Sequence, residues 1–91
     1  MKMVGQVCEE EKNIIFDLYE KRNALVNLKK IIDEKDFLYL KLMKELEHTR
    51  QEESKWWEEK AVKYNWESRQ GCVWRINFDN NKVFLDSGRN S

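Results

Sequence analysis

The sequence predicts a mainly helical α+β fold, with an antiparallel hairpin of two long helices and a C-terminal two-stranded β-hairpin packed on the end of helix two. Three observations predict it. No proline occurs in the 91 residues, so nothing of that kind breaks a long helix. Apolar residues recur at steps of three, four or seven in the first half and alternate at a period of two near the carboxy terminus. Those are the spacings of a helix stripe and of a strand face. A fully charged break, Asp33-Glu34-Lys35-Asp36, divides the helical half, and so short a connection sends the second helix back along the first.

Residues 1–8 read as an N-terminal arm. Helix one, residues 9–33, begins with Glu9, Glu10 and Glu11, whose charge favours the positive end of the helix dipole. Its stripe is Ile14, Leu18, Leu25, Leu28 and Ile32, interrupted by Lys21 and Arg22. Helix two, residues 36–65, starts at Asp36, whose carboxylate suits the free amides of a first turn. In the hairpin, Leu28 and Ile32 are expected against Leu38 and Leu42, and Leu25 near Leu46. Asn65 ends the helix because asparagine tolerates the left-handed backbone.

The middle of helix two is unusual. From Glu47 to Lys55 no large apolar residue occurs, although a helix packed along its whole length needs a continuous stripe. The stretch is expected to be solvated and braced by pairs such as Arg50 with Glu53. The sharper alternative is a face that stays open until a partner covers it.

Residues 72–87 read as the β-hairpin, and 88–91 as a tail. A two-residue turn at Asn80-Asn81 pairs Phe78 with Val83 and Ile76 with Leu85. Trp74, Ile76, Phe78, Val83 and Leu85 then share one face, with Arg75 and Asp86 paired on the other. A lone hairpin is marginal in water, so this face must cover something. The aromatic patch of Trp56, Trp57, Tyr64 and Trp66 is the nearest candidate.

Composition narrows the function classes. Seventeen basic residues balance 17 acidic ones, which argues against nucleic acid, whose phosphates need a cationic face. It argues equally against an anionic membrane surface. Neither an export signal nor a spanning segment is evident, so the expected location is the cytoplasm, with Cys8 and Cys72 as free thiols. His48 and the two cysteines lack metal-ligand spacing. Glu52-Glu53 and Glu58-Glu59 are adjacent on a helix and point apart, so they do not form an acid–base pair. No metal, no cofactor and no catalytic activity are expected.

All four tryptophans, Trp56, Trp57, Trp66 and Trp74, fall within one segment of the sequence. Tryptophan combines a large apolar surface with a polar handle, so the cluster is either the core of a small fold or a partner surface. The latter reading assigns binding to Trp56, Trp57, Tyr64, Trp66 and Trp74.

The segments VGQVCEEEK (4–12), LYEKRNAL (18–25), KWWEEKAVKYNWE (55–67) and WRINFDNNKVFL (74–85) span nearly the whole chain. On these segments the chain resembles the CXXX repeat peptide modification system proteins, small bacterial proteins encoded beside a radical-SAM maturase and a cysteine-repeat precursor peptide. Cys8 stands where that pattern has a threonine helix cap. The resemblance implies a non-catalytic accessory or adaptor that holds the precursor peptide or docks on the maturase, with the open hairpin edge available for strand addition. Two other readings remain open. One is a structural homodimer built as a helical bundle, favoured by exposure of Phe16, Phe37 or Leu40. The other is a small phage or mobile-element protein that binds a host protein.

Overall fold

A computed structural model describes residues 1–87; the expected tail at 88–91 lies outside the described residues. The order is β1 (Lys2–Gln6), α1 (Glu9–Ile31), α2 (Phe37–Tyr64), β2 (Val73–Asn77) and β3 (Lys82–Asp86). The strands form one antiparallel sheet in the order β1-β3-β2. The expected α+β class is therefore correct, but its hairpin is part of a larger sheet. The presumed N-terminal arm is a strand, and it occupies the outer edge of β3.

The missed strand is a short one with glycine inside it, which weakens the local strand signal. Its register slips between Met3 and Gly5, leaving Val4 as a bulge residue. The bulge turns Val4 into the core and brings Gly5 against Trp66. A Cβ added to Gly5 lies 2.2 Å from Trp66 Nε1 and 2.7 Å from Cδ1. Here glycine is required by close approach of an aromatic ring to the backbone.

The caps follow from the sequence. Asp36 accepts the amide of Leu38 at 2.9 Å. Asn65 adopts φ 52° and ψ 49°, and the Trp66 amide closes back on Ala61 O at 3.1 Å. Cys8 occupies the N-cap of α1, where its amide donates to Glu11 Oε1 at 3.0 Å.

The β-hairpin register differs from expectation by two residues. Ile76 opposes Val83 and Asn77 opposes Lys82, so Phe78 to Asn81 form a four-residue loop. Asn81 supplies the left-handed φ of 61°, and the carboxamides of Asn77 and Asn80 accept the amides of Asp79 and Lys82 at 2.8 and 3.0 Å. Side-chain hydrogen bonds of this kind favour the wider turn. A shift of two keeps every side chain on its face. Arg75 thus still reaches Asp86 at 2.7 Å, although its direct partner is Phe84. Phe78 leaves the strand and packs edge-on against Phe16 at 4.9 Å.

The stripe on α1 also turns from expectation. Ile14 is 55% exposed, whereas its neighbour Ile15 is buried. The inward positions are Glu11, Ile15, Leu18, Arg22, Leu25, Lys29 and Ile32, each buried or half-buried. They alternate steps of three and four, as a helix-pair seam requires. On α2 the same spacing runs through Leu42, Leu46, Thr49, Glu53 and Trp56. Leu28 and Leu38, expected within the seam, are exposed over about two-fifths of their surface, at 41% and 44%. The sheet end of the hairpin carries the main core, in which Val7, Ile15, Trp56, Trp66 and Val83 pack together.

Candidate functional site

The structure divides the tryptophan cluster. Trp56 and Trp66 are buried. The indole N–H of Trp56 donates to the backbone carbonyl of Glu11 at 3.2 Å, which locks α2 to the start of α1. Trp57 and Trp74 are half-buried and stack at 6.4 Å with 15° between their planes. Trp74 is fixed by donation to Glu67 O at 2.9 Å. Tyr64 lies parallel to Trp66 at 5.7 Å. Of the five residues assigned to binding, Trp57 and Trp74 thus form a partly open wall, while Trp56, Trp66 and Tyr64 hold the fold behind it.

That wall borders a groove of about 390 Å³. Helix α1 contributes Ile15, Tyr19 and Arg22, and α2 contributes Glu53 beside Trp57. Strand β2 and its turn supply Trp74, Ile76 and Phe78. Strand β2 pairs only with β3, so among the described residues its other edge is unpaired. The groove joins aromatic walls to a few polar groups, the usual chemistry of a recognition site.

Its polar element is the pair Arg22–Glu53, with Nε and Oε1 2.9 Å apart. Neither atom makes an aligned hydrogen bond and both are shielded from solvent. Burial pushes the Glu53 carboxyl up, against the opposing influence of Arg22 and Arg50. Arg22 also lies over the Tyr19 ring at 5.5 Å. The apparent gap in α2 is therefore not fully solvated: Thr49 is buried and bonds back to Glu45 O at 2.8 Å, and Glu53 turns to Arg22 in the other helix. The ion pair expected between Arg50 and Glu53 gives way to this interhelical one.

A second polar centre escaped the sequence reading. Glu11 is 6% exposed and accepts from the Cys8 amide, the Tyr64 hydroxyl and, at 2.7 Å, Lys63 Nζ. Burial raises the Glu11 carboxyl, but Lys63, Tyr64 and Cys8 outweigh it and bring the group down to about 2. The same contact pushes Lys63 and Tyr64 up, chiefly through their hydrogen bonds to Glu11. The spacing Cys8-x-x-Glu11 is the signal that could have revealed it, since a glutamate three residues after a cap returns to the cap amide. This centre joins α1 to α2 and lies outside the groove lined by Trp57 and Trp74.

His48 pairs with Glu52 at 3.2 Å on an exposed helix face, and Cys8 and Cys72 are free thiols. No group of three His, Cys, Asp or Glu side chains placed to hold a metal occurs among the described residues. No helix of the described residues is long and apolar enough to cross a membrane. Comparison of the chain with protein-family models, with curated proteins and with solved structures finds no match.

Proposed function

We propose that this chain is a non-catalytic adaptor that holds an extended peptide segment of a partner in the groove beside β2. The observation that carries this reading is the Trp57–Trp74 stack, half-exposed next to the unpaired edge of that strand. Strand addition supplies main-chain hydrogen bonds, and a neighbouring groove selects alternate side chains of the added strand. Only the β2 edge of the hairpin suits this role, because β1 covers the outer edge of β3. The family resemblance suggests the setting: a radical-SAM peptide modification system, with the cysteine-repeat precursor peptide or the maturase as the partner.

The test is titration of the protein with a cysteine-repeat precursor peptide while following tryptophan fluorescence and its quenching by iodide. Saturable shielding is expected, weakened at least about tenfold by Trp57→Ala, as for an aromatic hot spot. Quenching that stays unchanged through the titration refutes the peptide site.

A further inference from the structure

The free end of the helical hairpin carries a second surface, on different residues from the groove. Phe37 is 85% exposed, Ile31 80%, Leu40 70%, Leu38 44% and Leu28 41%. All five lie around the connection from α1 to α2, where no strand of the described residues covers the helices. Their exposure does not come from a loosely held turn. The Lys35 and Asp36 amides both bond Asp33, and the Leu38 and Tyr39 amides both bond Asp36, all at 2.9 Å. Large apolar side chains are thus presented on a braced frame, which lowers the entropic cost of docking.

We propose that this end is the docking surface for a second copy of the chain. Two properties select a copy over a charged partner. Between Lys30 and Lys41, three exposed basic residues (Lys30, Lys35, Lys41) accompany three exposed acidic ones (Asp33, Glu34, Asp36). The rim is therefore neutral in sum and bears both signs, so under a two-fold axis it is complementary to itself. The apolar area also fits. The exposed areas of the five side chains sum to roughly 600 Å², the upper end of exposed apolar area for a monomer patch. Two such ends, fully covered, bury at most about 1,200 Å², the lower bound of a specific interface.

The geometry is end-to-end rather than the lateral helical bundle of the alternative sequence reading. Phe16, which would belong to a lateral interface, is occupied by Phe78. Helix α1 rises about 13 Å from Arg22 to Ile31, so the groove stays open in the dimer. If the peptide reading also holds, the dimer presents two grooves; self-association itself does not depend on that reading.

Sedimentation of the full chain over a concentration series tests the proposal. The native protein is expected to pass from monomer to dimer in the micromolar to millimolar range, the weak end for an interface at the lower size bound. Phe37→Glu with Leu40→Glu is expected to weaken association more than tenfold while leaving circular dichroism and the urea midpoint unaltered. Acidic residues suit the first turn of α2, so the variant should fold. Val62→Glu, which alters an 83% exposed residue at the far end of α2, is expected to dimerise normally. A native chain still monomeric at about 1 mM, where association is weaker than any millimolar contact, overturns the proposal. So does a double variant that still dimerises, or a Val62→Glu variant that does not.

Discussion

Arg22 of α1 and Glu53 of α2 face each other across the helical hairpin, 2.9 Å apart. Each is a charged residue at mid-length in its own helix's inward stripe. The two meet, so one polar layer accounts for both. A polar layer within an apolar seam restricts helix register, because any slip leaves a charge facing a hydrocarbon.

Replacing one member of that pair leaves the other half-buried without its counter-charge. Glu53→Ala is expected to cost about 1 to 2 kcal/mol in urea unfolding, below the range for a deeply buried pair. Arg22→Met with Glu53→Leu is expected to restore stability to within about 1 kcal/mol of the native chain or above it. A double variant less stable than Glu53→Ala alone would count against this account of the layer.

Glu11 makes folding sensitive to acid. Its carboxyl stands at about 2 in the fold, against an ordinary 4.5. The stabilisation is complete above the ordinary value and is lost as pH falls from there through about 2. Glu53, raised in the fold by burial, acts with the opposite sign: its protonation favours the folded chain as pH falls toward the ordinary carboxylate value. Glu11→Gln is expected to be roughly 1 to 2 kcal/mol less stable than the native chain at pH 6, allowing for the solvent exposure of Lys63. Urea titrations at stepwise lower pH should show that gap closing between pH 4.5 and about 2. A gap independent of pH would show that charge is not the source.

At Gly5 the constraint is purely steric. Gly5→Ala places a methyl 2.2 Å from the buried Trp66 ring, which cannot swing away as a surface side chain can. The expected loss is about 1 to 3 kcal/mol, the cost of overpacking, measured by thermal or urea unfolding. Gly71→Ala meets nothing nearby, but its φ of +80° strains any side chain, for a smaller loss of about 1 kcal/mol.

Asn81 ties the β-hairpin turn to the start of α1. Its carbonyl accepts the Val7 amide at 3.0 Å and its side chain donates to Glu9 at 3.0 Å. It holds φ at 61°, so a β-branched residue there is strained. Asn81→Gly is expected to lose only the Glu9 contact, under about 1 kcal/mol at an exposed site. Asn81→Val should lose about 1 to 3 kcal/mol, visible as a lower urea midpoint.

Much of this was legible in local chemistry. The two helices, the Asp36 cap, the Asn65 terminus and the inward face of the β-hairpin depend on neighbours a few residues away. Arg22 was visible as an interruption of the α1 stripe and Glu53 as part of the polar stretch of α2, but nothing local says that one answers the other. The wider loop escaped because Asn80-Asn81 fits a two-residue turn, and only the carboxamides of Asn77 and Asn80 favour the longer one. In the candidate site, Trp57 and Trp74 were named with Trp56 and Trp66. Spacing alone could not divide them, since Trp56 and Trp57 are adjacent on a helix and burial depends on what packs there.

Periodicity, caps and composition by themselves determined a helical hairpin followed by a β-hairpin, with aromatic residues between them. Tertiary structure decided the rest. It recruited Lys2–Gln6 as a third strand, turned the seam of α1 from Ile14 to Ile15, and separated the core tryptophans from those lining the groove. The reason is that pairing a strand edge, burying an ion pair or seating a ring on a glycine joins residues distant in sequence. Their free energy exists only once the chain has closed around them.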